Sequence, residues 1–242
     1  MPFQFTSRFF GSVPKLSGDA DRNEDAFRWS SERSVIALSD GATESFDSRL
    51  WARLLVLLYV LKPVLCMARV DAAIAAFTRR HDPQSMSWSR QAAFDRGSFA
   101  TLLGVSFTPE LNQATVLAIG DSIALLFDGP RLVASFPYTE PDEFRSRPTL
   151  LSTKRNHNSF LDQPDHTGVS TTTWRLDHLA QPRIVCMTDA IGEWFLRLAK
   201  ADPCAGEILL GISDIAHLEA IVAQEREAGR MVVDDTTMLI LE

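Results

Sequence analysis

The sequence predicts an α+β fold in which antiparallel sheets are covered by helices. Three observations lead there. Short apolar runs of strand length open the chain, a helical stretch interrupts them, and a run of alternating segments follows before helices return and one last strand closes the chain. That order lacks the regular strand–helix alternation of a parallel α/β fold. The turn Asp128-Gly129-Pro130 joins two alternating segments closely enough for an antiparallel meander. A length of 242 residues, 45% hydrophobic and 23% charged, suits one domain spanning residues 1–242.

The elements follow in order. Residues 3–10 read as a first strand, and 25–30 and 34–39 as two more, joined by Ser31-Glu32-Arg33. Leu, Ala and Arg dominate residues 47–62, which read as a helix with Thr43 or Ser45 as its cap. Apolar positions at helical spacing mark 70–80 as a second helix, and 83–98 as a short helix or a loop. Alternation then predicts strands at 99–107, 113–119, 122–127 and 131–136. Gly97-Ser98-Phe99-Ala100-Thr101 reads as a turn entering a core strand. Residues 137–170 are polar with four prolines, a loop long enough to be functional or mobile. Strands at 171–176 and 183–188, helices at 191–200, 204–211 and 214–228, and a strand at 237–241 complete the reading.

Bulk composition narrows the functions. A net charge of −7, from 31 acidic and 24 basic residues, argues against a nucleic-acid binder. Cys66, Cys186 and Cys204 are too widely spaced for a disulfide framework or zinc cluster and are expected to be reduced, buried thiols of a cytoplasmic protein. The N-terminus shows no signal-peptide pattern, and the most apolar run, Leu54 to Leu61, is far short of the ~20 residues of a bilayer span. No membrane association is expected.

Acidic residues recur where strand-like runs give out: Glu24 and Asp25, Asp40, Asp121, Asp189, and Asp234 with Asp235. Carboxylates at a sheet edge are costly to desolvate unless neutralised, and several together point to a divalent ion. Oxygen ligands favour Mg²⁺ or Mn²⁺ over zinc. Taken singly, Asp121 and Asp128 also read as turn residues.

Asn23-Glu24-Asp25-Ala26-Phe27, Leu38-Ser39-Asp40-Gly41, Gly120-Asp121-Ser122, Thr188-Asp189-Ala190 and Asp234-Asp235-Thr236-Thr237 stand in that order. Their order and spacing resemble the metal-dependent protein phosphatases (PPM) of type 2C, from about residue 10 to the end of the chain. The resemblance implies a four-layer α-β-β-α sandwich, two packed antiparallel sheets flanked by helices, with metals at one end. It implies that Asp40 bridges two Mn²⁺ or Mg²⁺ ions and that the Gly41 carbonyl is a further ligand. Glu24 would hold one ion directly or through water, and Asp189 and Asp234 the other. Asp25 would orient water beside Asp40 in catalysis, and Asp121 with Asp189 would hold a weaker third ion. The implied reaction is attack on a phosphoserine or phosphothreonine by water activated between two cations. The implied partners are a phosphoprotein substrate and a Ser/Thr kinase or its targets, in the manner of bacterial members of similar length.

The sequence departs from the family in its phosphate recognition. Where many members carry an arginine three residues before Asn-Glu-Asp, this chain has Ala20, with Arg22 out of register as the candidate substrate-binding residue and Lys15 further upstream. Ala42-Thr43-Glu44-Ser45 replaces the usual small residues after Asp-Gly, and Glu44 is read as a helix N-terminal carboxylate rather than a ligand. Ala190 stands where a glycine is common. His81, His157, His166, His178 and His217 read as surface or capping residues, Cys186, Trp194 and Phe195 as core. Arg145, Arg147, Lys154 and Arg155 read as a solvated loop or as a flap receiving a phosphoprotein. Two rival functions stay open: a non-catalytic phosphoprotein-binding or regulatory module of the same fold, and a hydrolase of small phosphoesters.

Overall fold

A computed structural model describes residues 5–16, 22–162 and 168–242. The strands are β1 (Ser7–Val13), β2 (Ala26–Ser30), β3 (Val35–Ser39), β4 (Phe99–Ala100), β5 (Leu102–Thr108), β6 (Gln113–Ile119), β7 (Ile123–Asp128), β8 (Arg131–Phe136), β9 (Leu151–Ser152), β10 (Ser170–Arg175), β11 (Pro182–Met187) and β12 (Thr236–Leu241). The helices are α1 (Ser48–Leu61), α2 (Met67–Thr78), α3 (Trp88–Arg96), α4 (Asp189–Ala201), α5 (Ala205–Leu210) and α6 (Ile215–Glu227). The strands form two antiparallel sheets, in the orders β1-β12-β11-β7-β8 and β10-β6-β5-β3-β2, and β4 pairs with β9 alone.

Alternation along the strands builds the layers. In β3, Val35 and Ala37 face α1 and α2, whereas Ile36 and Leu38 face the other sheet. In β7, β11 and β12, Leu125, Val185 and Ile240 pack under α4 to α6. Their neighbours Leu126, Ile184 and Leu241 fill the space between the sheets. Each central strand is therefore buried on both faces, which explains why these segments read as continuous apolar runs. The result is the four-layer α-β-β-α sandwich.

Several local expectations shift. The first strand runs Ser7–Val13 rather than 3–10, because its antiparallel register with β12 brings Phe9 opposite Ile240 and Val13 opposite Thr236. Residues 1–4 lie outside the described residues. The strand expected at 99–107 breaks at Thr101, whose N–H and hydroxyl are committed to the backbone of Asp40. Neither Thr43 nor Ser45 caps α1: Asp47 precedes the helix with φ 47° and no side-chain cap. Ser45 Oγ instead donates to the Ala42 carbonyl and accepts from Phe99 N–H. Glu44 accordingly lies outside the first turn of α1. Residues 137–162 are not one loop, since they hold turns at Pro141–Arg145 and Arg155–Asp162 and the strand β9. All three cysteines are free, but only Cys186 is buried.

α1 lies on its sheet through Tyr59, whose ring covers Gly104 of β5 so closely that a Cβ there would stand 2.3 Å from the ring. Burial lifts the Tyr59 phenol to about 12 despite a hydrogen bond with Ser106. Only glycine fits beneath the ring. Gly104→Ala should overpack this contact and cost about 1–3 kcal/mol, read as a lower urea midpoint with an unchanged m-value.

Candidate metal centre

The site is assembled from strand ends at one edge of the sandwich. Asp40 directly follows β3, and its N–H donates to Thr101 Oγ1 at 2.8 Å while its carbonyl accepts from Thr101 N–H at 2.8 Å. Thr101 Oγ1 also meets Ser122 Oγ at 3.0 Å, which ties the β6–β7 turn carrying Asp121 to the same point. Gly120 makes that turn at φ +97°, where a Cβ would stand 2.5 Å from the Thr101 methyl. A side chain there would be strained by both backbone and contact. Asp189 is the first residue of α4, with Oδ1 accepting from Ala190 N–H at 2.7 Å. Asp234 lies just before β12, and Thr188 and Thr237 hold the two strand ends together through paired backbone and side-chain bonds.

Asp40, Gly41, Asp121, Asp189 and Asp234 line one cleft of about 160 Å³, with Pro148 and Leu150 also in its wall. Glu24 and Asp25 stand at its flank. A Cβ on Gly41 would stand 2.9 Å from the Glu24 carbonyl and from Ser48, so α1 and the Glu24 loop pack directly against the Asp-Gly turn. Asp25 Oδ2 accepts from Thr237 Oγ1 at 2.6 Å, while Oδ1 is sealed from solvent with no donor.

The electrostatics follow from this crowding. Burial, then repulsion from neighbouring carboxylates, raises the Asp25 pKa to about 8 and that of Asp189 to about 7. Asp40 is pushed well above the ordinary range, chiefly by burial and then by Asp25, Asp189, Asp121 and Asp234. Asp121 is raised by burial, with a smaller contribution from Asp234.

These residues fit a hard divalent cation: the donors are oxygens, their charge is uncompensated, and Asp25 Oδ1 is an orphaned acceptor. Among the described residues, however, no three His, Cys, Asp or Glu side chains close into a ready-made cage. Water would complete the coordination, as it does for Mg²⁺, which dehydrates reluctantly.

Two residues outside the predicted ligand set prove central. Asp235, buried, accepts from the backbone N–H of Lys15 through Oδ1 and of Glu24 through Oδ2, both at 2.8 Å. Lys15 Nζ donates to Glu24 Oε2 at 2.7 Å and to Thr43 Oγ1 at 2.8 Å, and lies 3.9 Å from Asp234 Oδ1. Ser48 Oγ donates to the other Glu24 oxygen. Both Glu24 carboxylate oxygens are thus engaged. The Asp234-Asp235 pair signals a buried acid, but nothing local marks Lys15, nine positions before its partner.

The remaining candidates disperse. Arg22 is exposed and does not line the cleft, and Ala20 and His166 lie outside the described residues. Arg145 pairs with Asp142, Arg155 with Asp71, and Lys154 lies over the Phe94 ring. Arg147 instead lines a larger groove of about 680 Å³ with Arg96, Glu44 and His157. That groove shares Ala42, Thr43, Pro148 and Leu150 with the acidic cleft. His81 bonds Asp47 and the Phe77 carbonyl, and Asp128 accepts from Ala180 and Gln181 N–H as a turn residue. Burial pushes the Cys186 thiol up to about 12, as expected for a core residue.

No sequence-family model and no curated protein sequence matches the chain. Its fold is shared with solved serine/threonine phosphatases over nearly the whole length of both chains. Stp1 from Staphylococcus aureus superposes with a TM-score of 0.61 at 11% identity, covering 96% of this chain and 93% of that one. PppA, described as a regulatory component of the type VI secretion system in Pseudomonas aeruginosa, gives 0.55 at 18% identity over 99% and 98%. The catalytic domain of the serine/threonine phosphatase PstP, solved with two manganese ions, gives 0.54 at 16% identity over 98% and 96%.

The raised pKa values fix a pH dependence. Between the ordinary aspartate value of 3.8 and the native values of about 7 and 8, the folded protein binds more protons than the unfolded chain. Stability of the metal-free protein therefore falls as pH rises through that window. In EDTA it should lose on the order of 4–7 kcal/mol between pH 5 and pH 8, measured by thermal or urea unfolding. Saturating Mn²⁺ should abolish or reverse the slope. A flat profile in EDTA would show that the protein's own cations already neutralise the cleft.

Proposed function

We propose that this chain is a single-domain, Mn²⁺- or Mg²⁺-dependent phosphatase of the type 2C family that hydrolyses phosphoserine or phosphothreonine in proteins. The observation that carries the reading is the convergence of Asp40, Asp121, Asp189 and Asp234 on one cleft at the sheet edge. The fold shared with serine/threonine phosphatases supports it.

In this reading Asp40 would be shared by two ions and the Gly41 carbonyl would be a further ligand, Glu24 would hold one ion directly or through water, and Asp189 and Asp234 would hold the other. Asp121 with Asp189 would hold a weaker third. When bound, such ions polarise the phosphoryl oxygens and acidify water. The protein's share is positioning. Thr101 fixes the backbone of Asp40 through two hydrogen bonds, so its carboxylate is presented without reorganisation. Asp25, anchored by Thr237 through one oxygen, would orient metal-bound water with the other, an acceptor without a donor. Pro148 and Leu150 add an apolar part to the cleft wall. No thiol nucleophile is called for: Cys186 is a buried core residue, and neither Cys66 nor Cys204 lines the cleft.

A protein substrate is supported by the groove that continues from the cleft. Its volume of about 680 Å³ and its exposed Arg96, Arg147 and His157 suit a polypeptide carrying phosphate better than a small phosphoester. A Ser/Thr kinase acting on the same polypeptide would be the natural opponent. Three free thiols suit a reducing compartment such as the cytoplasm.

The test is phosphate release from a phosphothreonine peptide and from p-nitrophenyl phosphate, with Mn²⁺, Mg²⁺ or EDTA. Turnover should require the metal, favour the peptide in kcat/KM, and fall at least ~100-fold in Asp40→Asn, as expected when a preorganised electrostatic group is removed. Metal-independent turnover would overturn the mechanism. Folded, metal-loaded protein without turnover would favour the regulatory module, and preference for the small ester would favour the small-molecule hydrolase.

A further inference from the structure

The side of the centre nearest Glu24 already contains a cation. Lys15 Nζ has Glu24 Oε2 at 2.7 Å, Thr43 Oγ1 at 2.8 Å and Asp234 Oδ1 at 3.9 Å. All three acceptors are oxygens, the kind of donor a hard divalent ion takes. The lysine and glutamate side chains are largely withdrawn from solvent, at 21% and 17% exposure. Nor is the pair an incidental contact of two flexible side chains. Asp235 receives the backbone N–H of both residues, one on each carboxylate oxygen, and so pins the two chain segments side by side. Ser48 occupies the remaining Glu24 oxygen. On the Asp40–Asp189 side the chief neighbouring charges are those of other acids, and Arg226 spends its guanidinium on the carbonyls of Pro14 and Asp234 and on the Thr236 hydroxyl.

We propose that the Lys15 ammonium is a built-in countercation that competes with a divalent ion for Glu24, so that the centre fills in two unequal steps. An ion entering beside Asp40 and Asp189 meets uncompensated carboxylates. One ligated by Glu24 must first displace an ammonium whose charge repels it and whose hydrogen bonds it must replace. Lys15 thereby acts as a positioning residue that sets metal occupancy. The inference rests on the metal-dependent reading of the site and deepens it.

The test is a calorimetric Mn²⁺ titration of metal-stripped protein, paired with electron paramagnetic resonance of free Mn²⁺, on wild type, Lys15→Met and Lys15→Arg. Wild type should bind one ion tightly and a second at least ~10-fold more weakly, a gap of 1.4 kcal/mol per decade. Lys15→Met should tighten the weaker step at least ~10-fold and leave the tight one unchanged, while Lys15→Arg should keep the gap. A purely structural role would lower the unfolding temperature without moving either step. Superimposable isotherms for wild type and Lys15→Met overturn the role of Lys15 and leave the metal centre standing, whereas no Mn²⁺ uptake by any of the proteins overturns both. Should Lys15→Met not fold, crystals of the wild type at one equivalent and at saturating Mn²⁺ decide the matter. The ammonium should rest on Glu24 in the first and leave it in the second. A Glu24-bound ion coexisting with the 2.7 Å Lys15 contact overturns the proposal.

Discussion

Mutual repulsion among carboxylates held at one edge of two packed sheets is the constraint round which the site is arranged. Asp25, Asp40, Asp121 and Asp189 each have a raised pKa, with burial the largest cause and neighbouring acids adding to it. A folded chain tolerates such a cluster only where the backbone gives the side chains no retreat. Here the sheets supply that rigidity, because their central strands are buried on both faces and cannot slip register without exposing an apolar row.

Strand ends convert that rigidity into position. Thr101 interrupts what would otherwise be one continuous strand and uses the freed groups to hold Asp40 and, through Ser122, the turn of Asp121. Thr188 and Thr237 perform the same task between β11 and β12, which carry Asp189 and Asp234 at their ends. Asp40 and Asp25 are thus held by hydroxyls from other segments, Thr101 and Thr237, whereas Asp189 and Asp234 are held by their own neighbours Ala190 and Thr236. This division of labour explains why the small polar residues beside the acids are themselves buried.

The extent to which this was legible in the sequence follows the range of the interactions. The strands β3, β7, β11 and β12 announce themselves because burial on both faces writes an apolar run into a short window, and β6 and β8 through alternation. The acids announce themselves because each ends such a run. What was hidden depended on contacts distant in sequence. Thr101 breaks a predicted strand because of Asp40, sixty-one positions away. The cap expected at Thr43 or Ser45 moved because Ser45 serves the Ala42 carbonyl and Phe99 instead. The basic residues 145–155 looked like one patch, yet only Arg147 reaches the groove, since Arg145 and Arg155 found acidic partners elsewhere. Local pattern reports burial; it does not report which distant partner a charged side chain will choose.

The same distinction bears on how the charges of the centre are balanced. Arg226 is the other cation close to the acids, yet it is directed at backbone carbonyls, and its own burial lowers its pKa. It braces the loop before β12 more than it neutralises the cleft. Lys15 makes its close ion pair with Glu24, on the flank, at 2.7 Å, and reaches Asp234 of the cleft only at 3.9 Å. The more buried carboxylates, Asp25, Asp40 and Asp189, respond instead by a raised pKa, and Asp25 Oδ1 lacks any donor. On the proposed reading, a cleft so arranged would receive positive charge from outside the chain, and the uneven placement of its own cations would give its two sides different chemistry.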